Sequence, residues 1–296
     1  MIILGGSSSE SLASSVATRL GLTPGKAEIK RFPDGEKYVR VLSDVKDQQV
    51  AVIQSMHHTP DDFLFEYLLL VDALKDLGAK KVTGFIPYFA YARQDERFKP
   101  GEALSFRTVT KLIETVGTDE IYTIDMHQHR VLKSSDVFRI PSHNLSAMPL
   151  LADYVRKEGK LRKPLVIGPD AEAEQWAKLA SEALGTDYDI FTKKRFAADK
   201  VEVTPRSASA KGRDILIVDD IISTGGTIIE AAGILHSQGA NQIEVACTHP
   251  ILATDALTRI KKAGVLNIIG TDTVPGPISY VSVAPLIAEH IRKTAL

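Results

Sequence analysis

Short apolar runs alternate with longer amphipathic ones along nearly the whole chain. Residues 2–4, 49–54, 81–87, 120–124, 165–167, 215–218, 243–248 and 266–270 have the length and apolar character of strands. Between them, 7–20, 105–116, a stretch after Asp170 running to about 184, 228–238, 254–263 and 284–294 carry the spacing and caps of helices. Strands such as 215–218 hold almost no polar residue, which suits central parallel strands covered on both faces. The pattern therefore predicts an α/β protein built on parallel sheets with crossover helices. Some stretches depart from this rhythm. Residues 28–32 and 37–42 flank Pro33-Asp34-Gly35 and predict a hairpin. A helix capped by Asp61 or Asp62 is apolar nearly all round, through Phe63, Leu64, Phe65, Tyr67, Leu68, Leu69, Leu70 and Val71, so it should be buried, in the core or at a subunit contact. Residues 188–191 predict a short strand. The polar stretch 196–212, with Pro205 and a Ser-Ala-Ser-Ala run, predicts a mobile loop or hairpin over a site.

At 296 residues with 44% hydrophobic content, the chain has material for two packed cores. Turn residues gather over 141–149 and mark the predicted boundary. The expected domains are 1–146 and 147–296, with the last helix packing back on the first domain. No clear residue-level repeat relates the halves. A net charge of −1 with 25% charged residues predicts no general attraction to nucleic acid or to an anionic membrane, so any phosphate binding must be local. The N-terminus lacks a basic leader, and no apolar run reaches membrane-spanning length, which places the expected protein in the cytoplasm. Cys247 is the single cysteine and sits in an apolar run, as a small buried hydrophobe rather than a nucleophile.

Candidate chemistry stands where the predicted strands end. Residues 214–227 join a buried strand, the adjacent carboxylates Asp219 and Asp220, and a small-residue turn that opens a helix. Ser223, Thr224, Gly225, Gly226 and Thr227 offer hydroxyls and backbone N–H groups at that helix start. The glycines let the main chain approach an anion, and the helix dipole favours negative charge there. Asp219 and Asp220 are poor phosphate ligands but good partners for a ribose diol or a Mg²⁺ ion. The combination points to a phosphorylated sugar; an ordinary capped turn uses the same residue types. Arg93 with Gln94, Asp125 with His127, and Asp170 stand at other strand ends, so loops at one sheet edge would gather these clusters around a ligand. His127 and Asp170 suit Mg²⁺ directly or through water, and His127 equally suits a structural role. A zinc pair at His127 and His129 lacks a cysteine or a third histidine. His57-His58 reads as loop and cap. Lys193-Lys194-Arg195 alone would be a solvated basic turn; standing before a polar stretch, it is placed to fold cations over a polyphosphate.

Taken together, these residues resemble ribose-phosphate pyrophosphokinases, also called phosphoribosyl pyrophosphate synthetases, over essentially the whole chain. Residues 218–227 are similar to the phosphoribosyl-binding signature shared with type I phosphoribosyltransferases. Phe32-Pro33-Asp34-Gly35-Glu36, Tyr91-Ala92-Arg93-Gln94-Asp95, Asp125-Met126-His127 and Lys193-Lys194-Arg195 are similar to segments that set the synthetases apart, and residues 281–288 look like the family's C-terminal segment. The resemblance implies two phosphoribosyltransferase-like domains and transfer of the β,γ-diphosphoryl group of ATP to the 1-hydroxyl of ribose 5-phosphate. By the same resemblance, Ser223, Thr224, Gly225, Gly226 and Thr227 bind the 5-phosphate, and Asp219 and Asp220 bind the ribose hydroxyls with Mg²⁺. Asp170 stands beside the 1-hydroxyl and a magnesium, and His127 faces the ATP phosphates and Mg²⁺. Arg93 and Gln94 contact ATP, while Lys193 and Arg195 stabilise the transferring group. Phe32, Asp34 and Glu36 reach a neighbouring subunit's adenine pocket, which implies at least a dimer.

Two departures from the family pattern stand out. Ser223-Thr224-Gly225-Gly226-Thr227 replaces the common Asp-Thr-Ala-Gly-Thr, so one acid near the phosphate is missing, and Ala171-Glu172-Ala173 follows Asp170 in place of a glycine pair. Both resemble an archaeal-type or divergent bacterial branch, and phosphate activation, ADP inhibition and a hexamer are not carried over. An ordinary phosphoribosyltransferase would explain 219–227 but leave Arg93, Gln94 and 32–36 idle. A non-catalytic regulatory paralogue is at odds with intact Lys193, Arg195, Asp170 and Asp219.

Overall fold

The computed structural model describes residues 1–127, 137–197, 200–205 and 208–294, and their side chains except those of 193–197, 200–205 and 294. The chain divides into two compact units, Met1–Leu145 with Ser282–Leu296, and Ser146–Val281. The first unit runs β1 (Ile2–Gly5), α1 (Glu10–Leu20), β2 (Ala27–Arg31), β3 (Lys37–Val41), β4 (Gln49–Ile53), α2 (Pro60–Asp76), β5 (Lys81–Ile86), α3 (Ser105–Thr115), β6 (Glu120–Ile124) and β7 (Ser142–Leu145). Five of these strands form one sheet in the order β1-β4-β5-β6-β7, every neighbouring pair parallel. β2 and β3 pair antiparallel as a separate hairpin around the Pro33–Gly35 turn.

Helix α2 starts two or three residues earlier than its acids suggested: Thr59 is the N-cap and Pro60 opens the helix, where its missing N–H goes unneeded, while Asp61 and Asp62 fall in the first turn. The helix is not buried all round. Leu64, Tyr67, Leu70, Val71 and Leu74 enter the core with Val50, Val52 and Val82, whereas Phe65 is 55% exposed. One 3.6-residue stripe is all that a single sheet face can cover.

The second unit runs α4 (Met148–Glu158), β8 (Leu165–Gly168), α5 (Glu174–Leu184), β9 (Tyr188–Ala197), β10 (Lys200–Pro205), β11 (Asp214–Ile221), α6 (Gly226–Ser237), β12 (Gln242–His249), α7 (Ala256–Lys262), β13 (Asn267–Thr271) and β14 (Ser279–Val281). Its seven strands lie in the order β10-β9-β8-β11-β12-β13-β14, parallel apart from the β9/β10 pair. Alternate residues of β11 serve opposite cores: Ile215 and Ile217 pack with Ile228, Ala231 and Leu235, while Leu216 and Val218 pack with Trp176 and Ala177. That is why this strand reads as an unbroken apolar run. α8 (Ala284–Thr294) belongs to the first unit, where it packs along α1 and Arg292 donates to the Arg19 carbonyl.

Residues 141–149, read as turn-rich, instead hold β7 and the start of α4, with Pro149 in the first helical turn. The short strand expected at 188–191 continues to Ala197 and pairs with β10 over part of the predicted loop, so the hairpin alternative is the one the structure adopts there. No helix among the described residues is long and apolar enough to cross a membrane.

Candidate active site

In the seven-stranded sheet the chain turns one way from β8 to β9 and the other way from β11 to β12. The carboxyl ends of β8 and β11 therefore border a topological switch point, the crevice where open α/β sheets take ligands. Asp170 follows β8, and Asp219 and Asp220 stand just before Ile221, the last residue of β11. The Asp170 Oδ1 accepts from the N–H groups of Glu172 (3.0 Å) and Ala173 (3.1 Å), which orients the carboxylate and leaves Oδ2 for a ligand. Asp219 Oδ1 accepts from the Asp220 N–H at 3.0 Å, and Asp220 Oδ1 from the Ile221 N–H at 2.8 Å. Asp220 is 2% exposed. Burial, followed by the charges of Asp220 and Asp170, pushes the Asp219 carboxyl well above the ordinary aspartate range. Cys247 lies opposite Asp219 in the β11/β12 register, and burial, with the charges of Asp219 and Asp220, raises its thiol pKa, so it is a packing residue.

Ser223–Thr227 form the turn into α6. Gly225 caps the helix in the left-handed region (φ 77°), and a Cβ there would stand 2.7 Å from Ile260 Cδ1. Among the described residues no side chain caps α6, and its first turn holds no acid, so the first-turn N–H groups are left for an anion. Thr224, Gly226 and Thr227 are exposed. A loop that sequence reading missed braces this turn from behind. The Ile222 N–H donates to the His249 carbonyl at 3.1 Å, the Leu252 N–H to the Ile222 carbonyl at 2.9 Å, and the Ala253 N–H to the Ser223 carbonyl at 3.0 Å. Leu252 (φ 49°) and Thr254 (φ 57°) hold left-handed backbone to do so, a cost of roughly 1 kcal/mol or more each.

The first unit carries the remaining candidates on its own sheet, so the expectation of a single sheet edge gathering every cluster is corrected: Arg93, Gln94, Asp125 and His127 follow β5 and β6, and the others belong to the seven-stranded sheet. Gln94 Oε1 accepts from Ser105 Oγ at 3.1 Å, and Arg93 is exposed. Tyr91 (φ 68°) and Asp125 (φ 40°) are strained at the two strand ends, as backbone at ligand sites often is. Asp125 is 2% exposed, and its N–H donates to the Leu145 carbonyl at 2.7 Å. Asn144, which the sequence did not single out, accepts from the Met126 N–H (2.9 Å) and from Thr123 Oγ1 (3.0 Å), fixing the chain that leads to the partly buried His127. Phe32, Asp34 and Glu36 sit on the hairpin turn, exposed, with Phe32 at 46%. Lys193 and Arg195 lie on β9 with their side chains outside the described residues, as is all of His129. His57-His58 precedes the Thr59 cap of α2, in keeping with a loop role.

A doubly covered parallel sheet with paired acids and an anion turn at its switch point defines a phosphoribosyltransferase-type α/β domain, and residues 135–280 match the model of the phosphoribosyl transferase domain. Residues 1–117 match the N-terminal domain of ribose phosphate pyrophosphokinase. The chain is 45% identical to a ribose-phosphate pyrophosphokinase of Methanothermobacter thermautotrophicus, covering 98% of this chain and 100% of that one. It is 40% identical to the ribose-phosphate pyrophosphokinase of Pyrococcus furiosus, over 97% of this chain and 99% of that one. The crystal structure of phosphoribosylpyrophosphate synthetase from Mycobacterium smegmatis matches at a TM-score of 0.88 and 30% identity, covering 99% and 98% of the two chains. This chain belongs to the ribose-phosphate pyrophosphokinase family.

Proposed function

We propose that the protein transfers the diphosphoryl group of ATP to the 1-hydroxyl of ribose 5-phosphate, giving 5-phosphoribosyl 1-diphosphate and AMP, in the cytoplasm. The observation that carries this reading is the switch-point site: a helix start that, among the described residues, has no side-chain cap and no first-turn acid, for the 5-phosphate, beside Asp219 and Asp220 for the ribose hydroxyls. Full-length similarity to named pyrophosphokinases supplies the second substrate. Ser223, Thr224, Gly225, Gly226 and Thr227 bind the 5-phosphate, and Asp170 Oδ2 accepts a hydrogen bond from the 1-hydroxyl. The 1-hydroxyl oxygen attacks the β-phosphorus in line and gives up its proton to solvent; the new O–P bond forms as the bond from the β-phosphorus to the α–β bridging oxygen breaks, and AMP leaves with that oxygen. Phosphoryl transfer of this kind needs alignment and charge compensation rather than a covalent nucleophile. Arg93, Gln94 and His127 hold ATP. Phe32, Asp34 and Glu36 complete the adenine pocket of a second copy, so the working unit is at least a dimer.

Mg²⁺ fits the acids present. No group of three or more metal-type side chains among the described residues forms a closed cage, while the carboxylates of Asp219, Asp220 and Asp170 stand close enough to raise the Asp219 pKa. Magnesium is normally held by one or two carboxylates plus substrate phosphates and water, so this open, like-charged cluster suits it. In the second unit Asp170, with Asp219 and Asp220 at the ribose hydroxyls, would hold magnesium, and in the first unit His127 would hold it beside the ATP phosphates. When bound, it supplies charge neutralisation for the diphosphoryl group.

Incubation with ATP, Mg²⁺ and ribose 5-phosphate should release AMP and phosphoribosyl diphosphate in equal amounts. No AMP release would turn the reading toward a phosphoribosyltransferase, and binding of both substrates without turnover toward a regulatory paralogue. Within the site, Gly225→Ala should raise KM for ribose 5-phosphate by about tenfold, because a Cβ clash with Ile260 and left-handed strain must displace the turn. KM for ATP should change far less in the same kinetics; equal rises in both would detach the turn from the phosphate.

A further inference from the structure

Three residues assigned to ATP lie on the 32–36 turn, yet the turn hangs on a two-stranded hairpin, a unit marginally stable on its own. A buried carboxylate fixes it. Glu66 on α2 has no exposed surface and accepts from four donors: Ser7 N at 2.7 Å, Ser7 Oγ at 2.7 Å, Gln54 Nε2 at 2.9 Å and Lys37 Nζ at 2.5 Å. Ser7 belongs to the loop after β1, Gln54 follows β4, and Lys37 opens β3 directly after Glu36. The place for Gln54 is built into the fold, because a Cβ on Gly6 would stand 2.1 Å from Gln54 Oε1. The Lys37 side chain is only 10% exposed, and its ammonium also lies 5.5 Å from the centre of the Phe63 ring.

The other arm of the hairpin is tied to the same helix one turn away. Arg31, the last residue of β2, pairs with Asp62 at 2.5 Å and donates to the Gly35 carbonyl at 2.6 Å. Both residues flanking the 32–36 segment are thus held to α2 at positions i and i+4, on one helix face. A buried ion pair is a weak source of net stability compared with apolar packing, and its better-attested use is to fix one geometry among several. Here the fixed geometry is that of the turn.

We propose that the buried Lys37–Glu66 pair, with Arg31–Asp62 as its exposed counterpart, positions the 32–36 turn for nucleotide binding, so that ATP affinity depends on residues that never touch ATP. This inference rests on the assignment of Phe32, Asp34 and Glu36 to the ATP site. The pair acts through the backbone at Glu36 and Phe32, whose carbonyl and N–H close the turn at 2.9 Å.

Steady-state kinetics of the full-length protein with Lys37→Met, Lys37→Arg, Arg31→Met and Phe32→Ala test it. Lys37→Met should raise KM for ATP about tenfold, the scale of a sub-ångström to ångström misplacement, with kcat and KM for ribose 5-phosphate within about twofold of wild type. Lys37→Arg keeps the charge and should recover most of the loss. Arg31→Met removes an exposed ion pair and the bond to the Gly35 carbonyl without leaving a buried charge, so it folds normally and should raise KM for ATP about threefold, as a weaker exposed pair requires. Phe32→Ala reports on the underlying assignment. If it raises KM for ATP while Lys37→Met and Arg31→Met leave that constant unchanged, the positioning role is wrong. If Phe32→Ala leaves it unchanged, the ATP assignment of the turn fails and the positioning role falls with it. A loss of thermal stability in Lys37→Met without a rise in KM for ATP would also overturn the proposal, since it would mark the pair as purely structural.

Discussion

Asp219→Asn is expected to stabilise the ligand-free protein against heat while lowering kcat/KM for ribose 5-phosphate by about 10- to 100-fold. Both effects come from one geometry. Asp219 lies near the carboxyl end of a buried strand, beside Asp220 and within electrostatic reach of Asp170, so without a cation or sugar its charge meets like charge and little water. A carboxyl whose folded pKa stands above its unfolded value binds its proton more tightly in the folded state. Its contribution to stability is therefore complete below about pH 4 and is lost as pH rises through the folded value. Asparagine removes that loss, and the variant should melt a few degrees above wild type near neutrality, with the gap closing toward pH 4. With ribose 5-phosphate present the loss of a charge-assisted hydrogen bond, about 1.5–3 kcal/mol, sets the fall in kcat/KM. Thermal melts from pH 4 to 8 without ligands check the first half and steady-state kinetics the second. A neutral-pH melting temperature below wild type would show that the Asp219 charge is a structural partner, and would undo the picture of a site strained until it is filled.

Much of that site was legible because its chemistry is local in sequence. The apolar continuity of 215–218 reports burial on both faces, and the run from Asp219 to Thr227 writes an anion turn residue by residue. What was not legible is whatever depends on non-local order. The reversal of strand order between β8 and β11 makes Asp170 and Asp219 neighbours, yet no window of sequence contains it. The same blindness produced the expectation of one sheet edge for clusters that belong to two sheets. α4 was hidden by Pro149 and its polar surroundings, which signal a turn unless the proline is known to stand in a first helical turn. β7, Ser142–Leu145, is a polar edge strand with one neighbour, so it lacks the apolar signature of β11. Left-handed backbone at Leu252 has no side-chain signal at all, and with it the brace behind the 223–227 turn went unseen. The Glu66 hub was masked by its helix: a single acid among Phe, Leu and Tyr reads as noise in an apolar stripe until four donors converge on it.

Lys193→Ala and Arg195→Ala are each expected to lower turnover by about 10²-fold or more, the scale of a lost electrostatic stabiliser of developing charge. The backbone supports their assignment. β9 pairs in parallel with β8 up to the Gly168–Ile190 register and then runs on, reaching Lys193 three residues past that pair while the β8 strand reaches Asp170 two residues past it. Two strands that advance together along one sheet thus deliver a cationic segment and the residue assigned to the reacting hydroxyl to the same end of the sheet. Because both cations would compensate the charge of one transferring group, their losses should not multiply: the double variant should fall short of the product of the single effects. The pattern differs from that of Asp219→Asn, whose cost should appear in KM for ribose 5-phosphate, whereas these two should act on kcat with both KM values little changed. Single-turnover measurement of AMP formation separates the cases. Near-normal turnover in both single variants would remove β9 from the chemistry.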